Sequence, residues 1–165
     1  MPDTKPDEAS AIDKIWELAD KLDPCLLVTR DGDWQRVRPV YARARRDEGR
    51  IYILTDTSGE KHEQIERFPQ VSLAFADPLA NDYVVINGIA TVSRDREKIE
   101  EVWKFSDEAF WEAPDDPKLR LITIEPRDAE LWDGSNVLVT GAKMIAERFL
   151  GAKVELVENR KVDQI

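Results

Sequence analysis

The chain has 165 residues, of which 42% are hydrophobic and 35% are charged, a composition typical of one globular domain and not of a disordered chain. Its net charge of −10 argues against binding to nucleic acid or to an anionic membrane unless a local basic patch overrides it. No apolar run approaches the ~18 residues that span a bilayer, the polar N-terminus lacks the features of a signal peptide, and the single Cys25 excludes an internal disulfide. We therefore expect a cytoplasmic protein.

Periodicity and turn signals divide the chain into short elements. Residues 1–10 are predicted to be a loose tail, with Ser10 and Asp13 resembling a capping box for a helix over 11–22. Strands are predicted over 25–30, 35–44, 51–55, 71–75, 83–92, 119–124 and 129–132. Further helices are predicted over 58–68 and 94–105, and residues 137–165 are expected to hold a C-terminal helix (137–149) and a candidate strand (154–157).

The predicted strands are joined mostly by tight turns, such as Asp31-Gly32-Asp33 and Asp47-Glu48-Gly49. Pro39 within the second strand implies an edge or a bulge, and Gly88 in the fifth suggests a bulge or a close backbone approach. No GxGxxG motif follows a strand, which argues against a doubly wound sheet. The pattern favours one mainly β domain over residues 1–165, an antiparallel barrel with peripheral helices (α+β).

The segment from Thr55 to Lys61 leaves a strand and enters a predicted helix. It offers the hydroxyls of Thr55 and Ser58, a glycine and Lys61 where helix amides are unpaired, a combination that favours anion binding. The alternative is an ordinary helix start with Thr57 or Ser58 as N-cap and Lys61 in solvent. The segment is not a Walker loop, which needs GxxxxGK[ST].

A basic cluster precedes this segment and allows two interpretations. The arginines are either solvated charges or part of an anion site in an otherwise acidic protein; they are Arg36, Arg38, Arg43, Arg45, Arg46 and Arg50. If a hairpin closes at Gly49, residues 38–43 would pair with 51–55. Because Arg38 and Arg43 are five residues apart, a regular strand places them on opposite faces, so both can reach one ligand only through a bulge or around an edge.

Other chemistries receive little support from the sequence. His62 is the single histidine, and neither a zinc-ligand spacing nor a nucleophile motif accompanies it. Trp103, Phe105, Phe110 and Trp111 are interpreted as core residues, with a substrate pocket as the alternative. The acidic run over 107–116 is interpreted as a solvated loop. No metal site is predicted, and no catalytic residue is assigned.

Five ordered stretches resemble a known family. They are RPVYAR (38–43), IYILTDTSGEKHEQI (51–65), FPQVSLAF (68–75), YVVINGIATVSRDREKIEEVW (83–103) and DDPKLRLITIEPRDAELWD (115–133). Together they resemble the pyridoxamine 5′-phosphate oxidase-like, FMN-binding split-barrel family, most closely its general stress protein branch.

The resemblance implies a split barrel that forms a homodimer with FMN at the subunit interface. Arg38 and Lys61 would bind the FMN phosphate, with Arg43 in support and with hydroxyl contacts from Thr55 and Ser58. Backbone around Pro39 and Val40 would face the isoalloxazine ring. Tyr83 would touch the flavin of the partner chain, and Trp132 would lie near the ring.

The sequence also departs from the family pattern. Glu60 stands where the oxidases carry a basic phosphate ligand, and nothing after Asp133 matches their substrate-binding element, so true pyridoxamine phosphate oxidation is not expected. Three functions remain: an FMN-dependent oxidoreductase of unknown substrate with NAD(P)H as a candidate donor, a non-catalytic module that sequesters flavin or deazaflavin, or a ligand-free structural barrel.

Overall fold

The computed structural model describes residues 6–134 and 158–165. The helices are α1 (Pro6–Lys21), α2 (Lys61–Arg67) and α3 (Arg96–Val102), with short 3₁₀ turns at Arg46–Glu48 and Phe105–Ala109. The strands are β1 (Cys25–Asp31), β2 (Trp34–Val40), β3 (Ala42–Arg45), β4 (Arg50–Asp56), β5 (Gln70–Asp77), β6 (Asp82–Ser93), β7 (Leu119–Asp133) and β8 (Glu158–Asp163).

All strand pairs are antiparallel and belong to one sheet. Its order is β2-β1-β5-β6-β7-β4-β3, and β8 pairs with β7 beside this path. β2 and β3 lie at opposite ends of the order, yet only Tyr41 separates them along the chain. The sheet must therefore curl until its two edges meet, and they are joined there by the covalent chain instead of a hydrogen-bonded ladder. A barrel whose two edge strands are not hydrogen-bonded to each other is a split barrel, as predicted.

Alternating burial fills the interior of the barrel. β1, β5 and β6 each bury every second residue, as expected for strands with one face toward a core, and α1 closes the core with Ile15 and Leu18. β4 is buried on both faces because Ile51 and Ile53 enter the barrel core while Tyr52 and Leu54 join a second cluster with residues of α3 and β7. This double burial explains the continuous apolar run IYIL.

The N-terminal prediction was wrong in part. α1 begins at Pro6, inside the segment expected to be a loose tail, so Ser10 lies within the helix instead of capping it. The favourable helix formers of this segment and the packing of Ala11 and Ile15 into the core extend the helix backward.

The strands also differ from prediction in three respects. The strand expected over 35–44 is interrupted at Tyr41, and Arg38 to Val40 pair with β1 instead of 51–55. The two strands expected over 119–124 and 129–132 form one continuous strand, β7. β8 was not predicted, and the expected helix over 137–149 and strand over 154–157 lie outside the described residues.

The expected close approach at Gly88 is confirmed. The register between β6 and β7 shifts between Asn87 and Gly88, and a Cβ atom on Gly88 would lie 2.6 Å from the carbonyl oxygen of Glu125. Within the described ranges, no helix combines the length and the apolar character required to cross a membrane.

Replacing Gly88 by alanine should therefore destabilise the barrel. The added methyl group must displace backbone of β7, so we expect a loss of about 1–3 kcal/mol in the free energy of unfolding, measured by urea denaturation. Gly59→Ala is the matched control, because nothing lies within 4 Å of its Cβ position. Equal stability of the two variants would contradict the packing described at the bulge.

Candidate functional site

A cleft of about 290 Å³ lies where the chain passes from β2 to β3, beside the end of β4 and the start of α2. It brings together six of the nine residues singled out from the sequence: Pro39, Val40, Arg43, Thr55, Ser58 and Lys61. Its other polar or aromatic lining residues include Tyr41, Asp56, Asp107, Phe110 and Trp111. Asp56 and Asp107 were not expected among the site residues from the sequence.

Lys61 is a cleft residue whose charge forms no ion pair within residues 6–134 and 158–165. Its side chain is half-buried and makes no hydrogen bond or ion pair with any described residue. Burial lowers the pKa of Lys61, and the positive charge of Arg38 lowers it further, while Asp56 acts in the opposite direction. A half-buried ammonium group beside a second cation is stabilised by a bound anion.

The second cation is Arg38, which lies on β2. It does not line the cleft itself but is close enough to affect the pKa of Lys61. Its partner in the β1–β2 ladder is Leu27, so its side chain shares the inward face of β1 with Thr29. There both terminal nitrogens of the guanidinium donate to Gln64 Oε1, at 3.1 and 3.2 Å.

The helix start does not have the geometry expected from the sequence. α2 begins at Lys61 and has only seven residues, and its N-cap position is Glu60, whose side chain accepts no capping hydrogen bond. Ser58 instead bonds Asp56: its backbone N–H donates to Asp56 Oδ1 at 2.8 Å, and its hydroxyl donates to the same oxygen. The case for an anion site therefore depends on the cations Arg38 and Lys61 and not on helix amides.

Glu60 does not line the cleft. Its exposed side chain faces a separate depression on the other side, together with Arg30, Arg36 and Arg67. Within the described ranges it forms no ion pair with either Arg38 or Lys61, although its charge opposes the lowering of the Arg38 pKa that burial causes. Glu60 therefore lies outside the lining of the cleft but close enough to act electrostatically on Arg38.

Asp56 fixes the loop that carries Ser58. Besides the two bonds from Ser58, it accepts a hydrogen bond of 3.0 Å from the indole N–H of Trp111. Burial raises the pKa of Asp56, but these hydrogen bonds and the nearby Lys61 outweigh that effect, so the net pKa lies below its usual value. Asp56 is therefore an ionised anchor that links β4 to the segment after α3.

Arg43 is committed to internal contacts. It is only 3% exposed and forms an ion pair with Asp107, itself 3% exposed. Its Nε donates to the carbonyl of Val102 and its Nη1 to the carbonyl of Tyr41, each at 3.0 Å. All three nitrogens thus already have protein acceptors, and the expectation that residues 107–116 form a solvated loop was wrong for Asp107.

Most of the basic cluster is paired with acids elsewhere. Arg36 pairs with Asp31 at 2.9 Å, and Arg46 pairs with Asp13, both at exposed positions. Such pairs match the solvated interpretation of these arginines. Arg38 is the member of the cluster that lies beside Lys61.

The aromatic residues divide between core and cleft. Trp103 packs against the second cluster, as expected for a core residue, whereas Phe105 is 85% exposed. Phe110 and Trp111 line the cleft, with ring centroids 5.7 Å apart, and Phe110 lies 5.8 Å from Tyr41. These rings form an aromatic wall of the cleft, whose lining also includes Pro39 and Val40, so two of the four residues line a pocket, and Trp111 in addition packs against the second cluster.

Tyr83 and Trp132 lie away from this cleft. They are direct cross-strand partners of β6 and β7, and both side chains are half-buried on the outer face of the sheet. They are thus neighbours of each other and do not line the cleft that contains Lys61.

Comparisons with known proteins identify relatives of the whole fold. The family model described as pyridoxamine 5′-phosphate oxidase like matches residues 10–155. General stress protein 26 of Bacillus subtilis (strain 168) is 32% identical over 88 residues, a match that covers 50% of this chain and 63% of that protein. The chain thus aligns with less than two thirds of the length of this curated relative.

Solved structures share the same architecture. General stress protein 26 from Bacillus anthracis str. Sterne superposes with a TM-score of 0.66 at 24% identity, covering 72% of this chain and 91% of the other. The general stress FMN/FAD binding protein from Xanthomonas citri superposes with a TM-score of 0.65 at 22% identity, covering 74% of this chain and 87% of the other. At these identities the likeness establishes the fold.

Removing one partner of the buried ion pair between Arg43 and Asp107 should destabilise the fold at the cleft wall. Asp107→Asn leaves the Arg43 charge buried without a counter-charge, and we expect a loss of about 3 kcal/mol in the free energy of unfolding. Asp31→Asn, which breaks the exposed pair with Arg36, is the matched control and should cost less than about 1 kcal/mol. Urea denaturation of both variants measures the difference, and equal effects would contradict the structural role of Asp107.

Proposed function

Because this chain belongs to the pyridoxamine 5′-phosphate oxidase-like family, we propose that it binds FMN and uses it as a general stress-type oxidoreductase of so far unidentified substrate. The observation that carries the proposal is the half-buried Lys61, which forms no ion pair with any described residue and lines an aromatic-walled cleft near Arg38. A phosphate monoester carries close to two negative charges at neutral pH and would compensate both cations.

In this proposal the phosphate lies between Lys61 and Arg38. Lys61 contributes a mobile point charge, and Arg38 contributes a planar guanidinium whose free N–H groups suit a phosphate oxygen pair. The hydroxyls of Thr55 and Ser58 lie in the same cleft and would contact the phosphate or the ribityl chain. Arg43 supports the site indirectly, since it holds the cleft wall through Asp107.

The flavin ring would extend from the phosphate along Pro39 and Val40 toward Tyr41 and Phe110. Tyr41 is 47% and Phe110 58% exposed, so both rings offer apolar surface to a planar ligand. The cleft of about 290 Å³ is at the lower end of the ~300–1,000 Å³ typical of ligand sites. A flavin would therefore project beyond this protomer.

We propose that a second copy of the chain completes the site. Tyr83 and Trp132, on the outer face of the sheet, are the residues that would reach the partner's flavin. The proposal requires a dimer at micromolar concentration, and a strictly monomeric mass by light scattering with FMN bound would contradict it.

A bound flavin would supply the redox chemistry, with NAD(P)H as the candidate donor, while the protein would bind and orient it. Substrate identity is not assigned. The residues that would hold the phosphate and face the ring belong to this chain, whereas the sequence after Asp133 carries no counterpart of the oxidases' substrate element.

A second function is favoured by one observation: the carboxylates that line the cleft are already engaged. Asp56 accepts bonds from Ser58 and Trp111, and Asp107 is paired with Arg43, so neither is free to act as a general acid or base. The protein would then bind a flavin or deazaflavin without turnover. Sustained NAD(P)H oxidation by the FMN-loaded protein with an artificial acceptor would exclude this alternative, and FMN binding without oxidation would favour it.

Purified protein should carry or take up FMN, visible as flavin absorbance and released on denaturation. Lys61→Ala should weaken FMN binding by about 1–3 kcal/mol, because a charge-assisted phosphate contact is lost. Lys118→Ala, at an exposed lysine outside the cleft, is the matched control. Dissociation constants from fluorescence quenching test both, and failure of the wild-type protein to bind FMN at micromolar concentration would reject the proposal.

FMN affinity should also fall with rising pH. Burial and Arg38 lower the pKa of Lys61, so the lysine loses its proton, and the phosphate its partner, below the ordinary lysine value of about 10.4. In Lys61→Arg the charge persists, so its affinity should decline less between about pH 7 and 10. Identical pH profiles of wild type and Lys61→Arg would contradict an ammonium–phosphate contact.

A further inference from the structure

We propose that Gln64 is the positioning residue of the phosphate site. Its neutral amide would hold Arg38 in place without neutralising the guanidinium charge and would thereby set the preference for FMN over unphosphorylated riboflavin. This inference depends on the proposed function, since it concerns the same site.

The contacts of Gln64 are unusually concentrated for a surface helix. The residue is 6% exposed, and its Oε1 accepts hydrogen bonds from both terminal nitrogens of Arg38. The same oxygen accepts the hydroxyl of Thr29 at 2.8 Å, and Thr29 is 1% exposed. Arg38 Nη1 also approaches the Thr29 hydroxyl at 3.4 Å. The single Gln64 Oε1 thus accepts hydrogen bonds from both ends of the guanidinium. The Thr29 hydroxyl on β1 donates to the same oxygen and holds it in position.

The helix places Gln64 and Lys61 on one side. They are three residues apart, which puts them on neighbouring positions of the α2 surface, and Ile65 anchors the helix in the core. The same short helix therefore presents one cation to the cleft and the group that orients the other cation. Movement of Arg38 relative to Lys61 is limited by a single rigid element.

A neutral group is required here because an alternative partner lies nearby. Glu60 is exposed, forms no ion pair with any described residue, and acts on Arg38 electrostatically. A flexible arginine released from Gln64 would gain an exposed ion pair with Glu60 and turn its charge away from the phosphate. A carboxylate at position 64 would also hold Arg38, but it would cancel the charge that the phosphate needs. Glutamine satisfies the guanidinium while leaving it charged.

The test compares FMN and riboflavin binding to Gln64→Met, which keeps the length of the side chain but removes its acceptor. We expect FMN affinity to fall about 10-fold, the size expected for loss of one hydrogen bond to a charged group, while riboflavin affinity stays unchanged. Gln70→Met, at an exposed glutamine on β5, is the matched control and should change neither affinity. Equal losses for both ligands, or no loss of FMN affinity, would overturn the proposal.

A second substitution separates positioning from general damage. In the Glu60→Gln/Gln64→Met double variant the competing ion pair cannot form, so FMN affinity should recover at least in part relative to Gln64→Met alone. If Gln64→Met does not fold, Gln64→Glu serves instead: FMN affinity should fall and riboflavin affinity should not, and unchanged FMN affinity would reject the role. Absence of FMN binding in the wild type would reject the proposed function together with the role, whereas normal wild-type binding with an unaffected variant would reject the role alone.

Discussion

Two positive side chains, Arg38 and Lys61, are partly removed from water near the point where the two edges of the split barrel meet, and this placement is the constraint on which the proposed site depends. The chain pairs with β1 as strand β2, passes through the single residue Tyr41, and then pairs with β4 as strand β3. Before this change of partner, Arg38 lies on the inward face of β2 and contacts Gln64 of α2. Lys61 is the first residue of the same helix. Like charges that are partly removed from water raise the free energy of the folded chain unless an anion lies between them. In the proposed function, the phosphate of a bound flavin would supply that anion.

The neighbouring charges are treated differently, and the contrast supports this account. Arg43, five residues after Arg38, lies on β3 instead of β2, and there Asp107 pairs with it in a buried ion pair. Arg36 and Arg46 have exposed acidic partners. Among the described residues, Arg38 donates its side-chain hydrogen bonds to the oxygens of Gln64 and Thr29, and it forms no ion pair at contact distance with a carboxylate. Of these four arginines, it is the one close enough to Lys61 to lower the pKa of that lysine.

The sequence predicted much of the fold because strands, turns and glycines act locally. The antiparallel barrel, the turns near Gly32 and Gly49, and the bulge at Gly88 all follow from patterns within a few residues. The break at Tyr41 did not, because the exchange of β-strand partners there is decided by the curl of the whole sheet. Six of nine proposed site residues lie in one cleft, because the end of β2, the start of β3, the end of β4 and the start of α2 meet there. Asp107 and Gln64 were missed as partners of Arg43 and Arg38, because these contacts join residues 64 and 26 positions apart and no local signal predicts them.

The most direct test of the account is a crystal structure of the protein with FMN bound. The account predicts that the phosphate lies within hydrogen-bonding distance of both Lys61 Nζ and the Arg38 guanidinium, with Gln64 still in contact with Arg38 and with Glu60 directed to solvent. A phosphate bound elsewhere on the barrel, or a Glu60 carboxylate paired with Arg38 in the liganded protein, would contradict it.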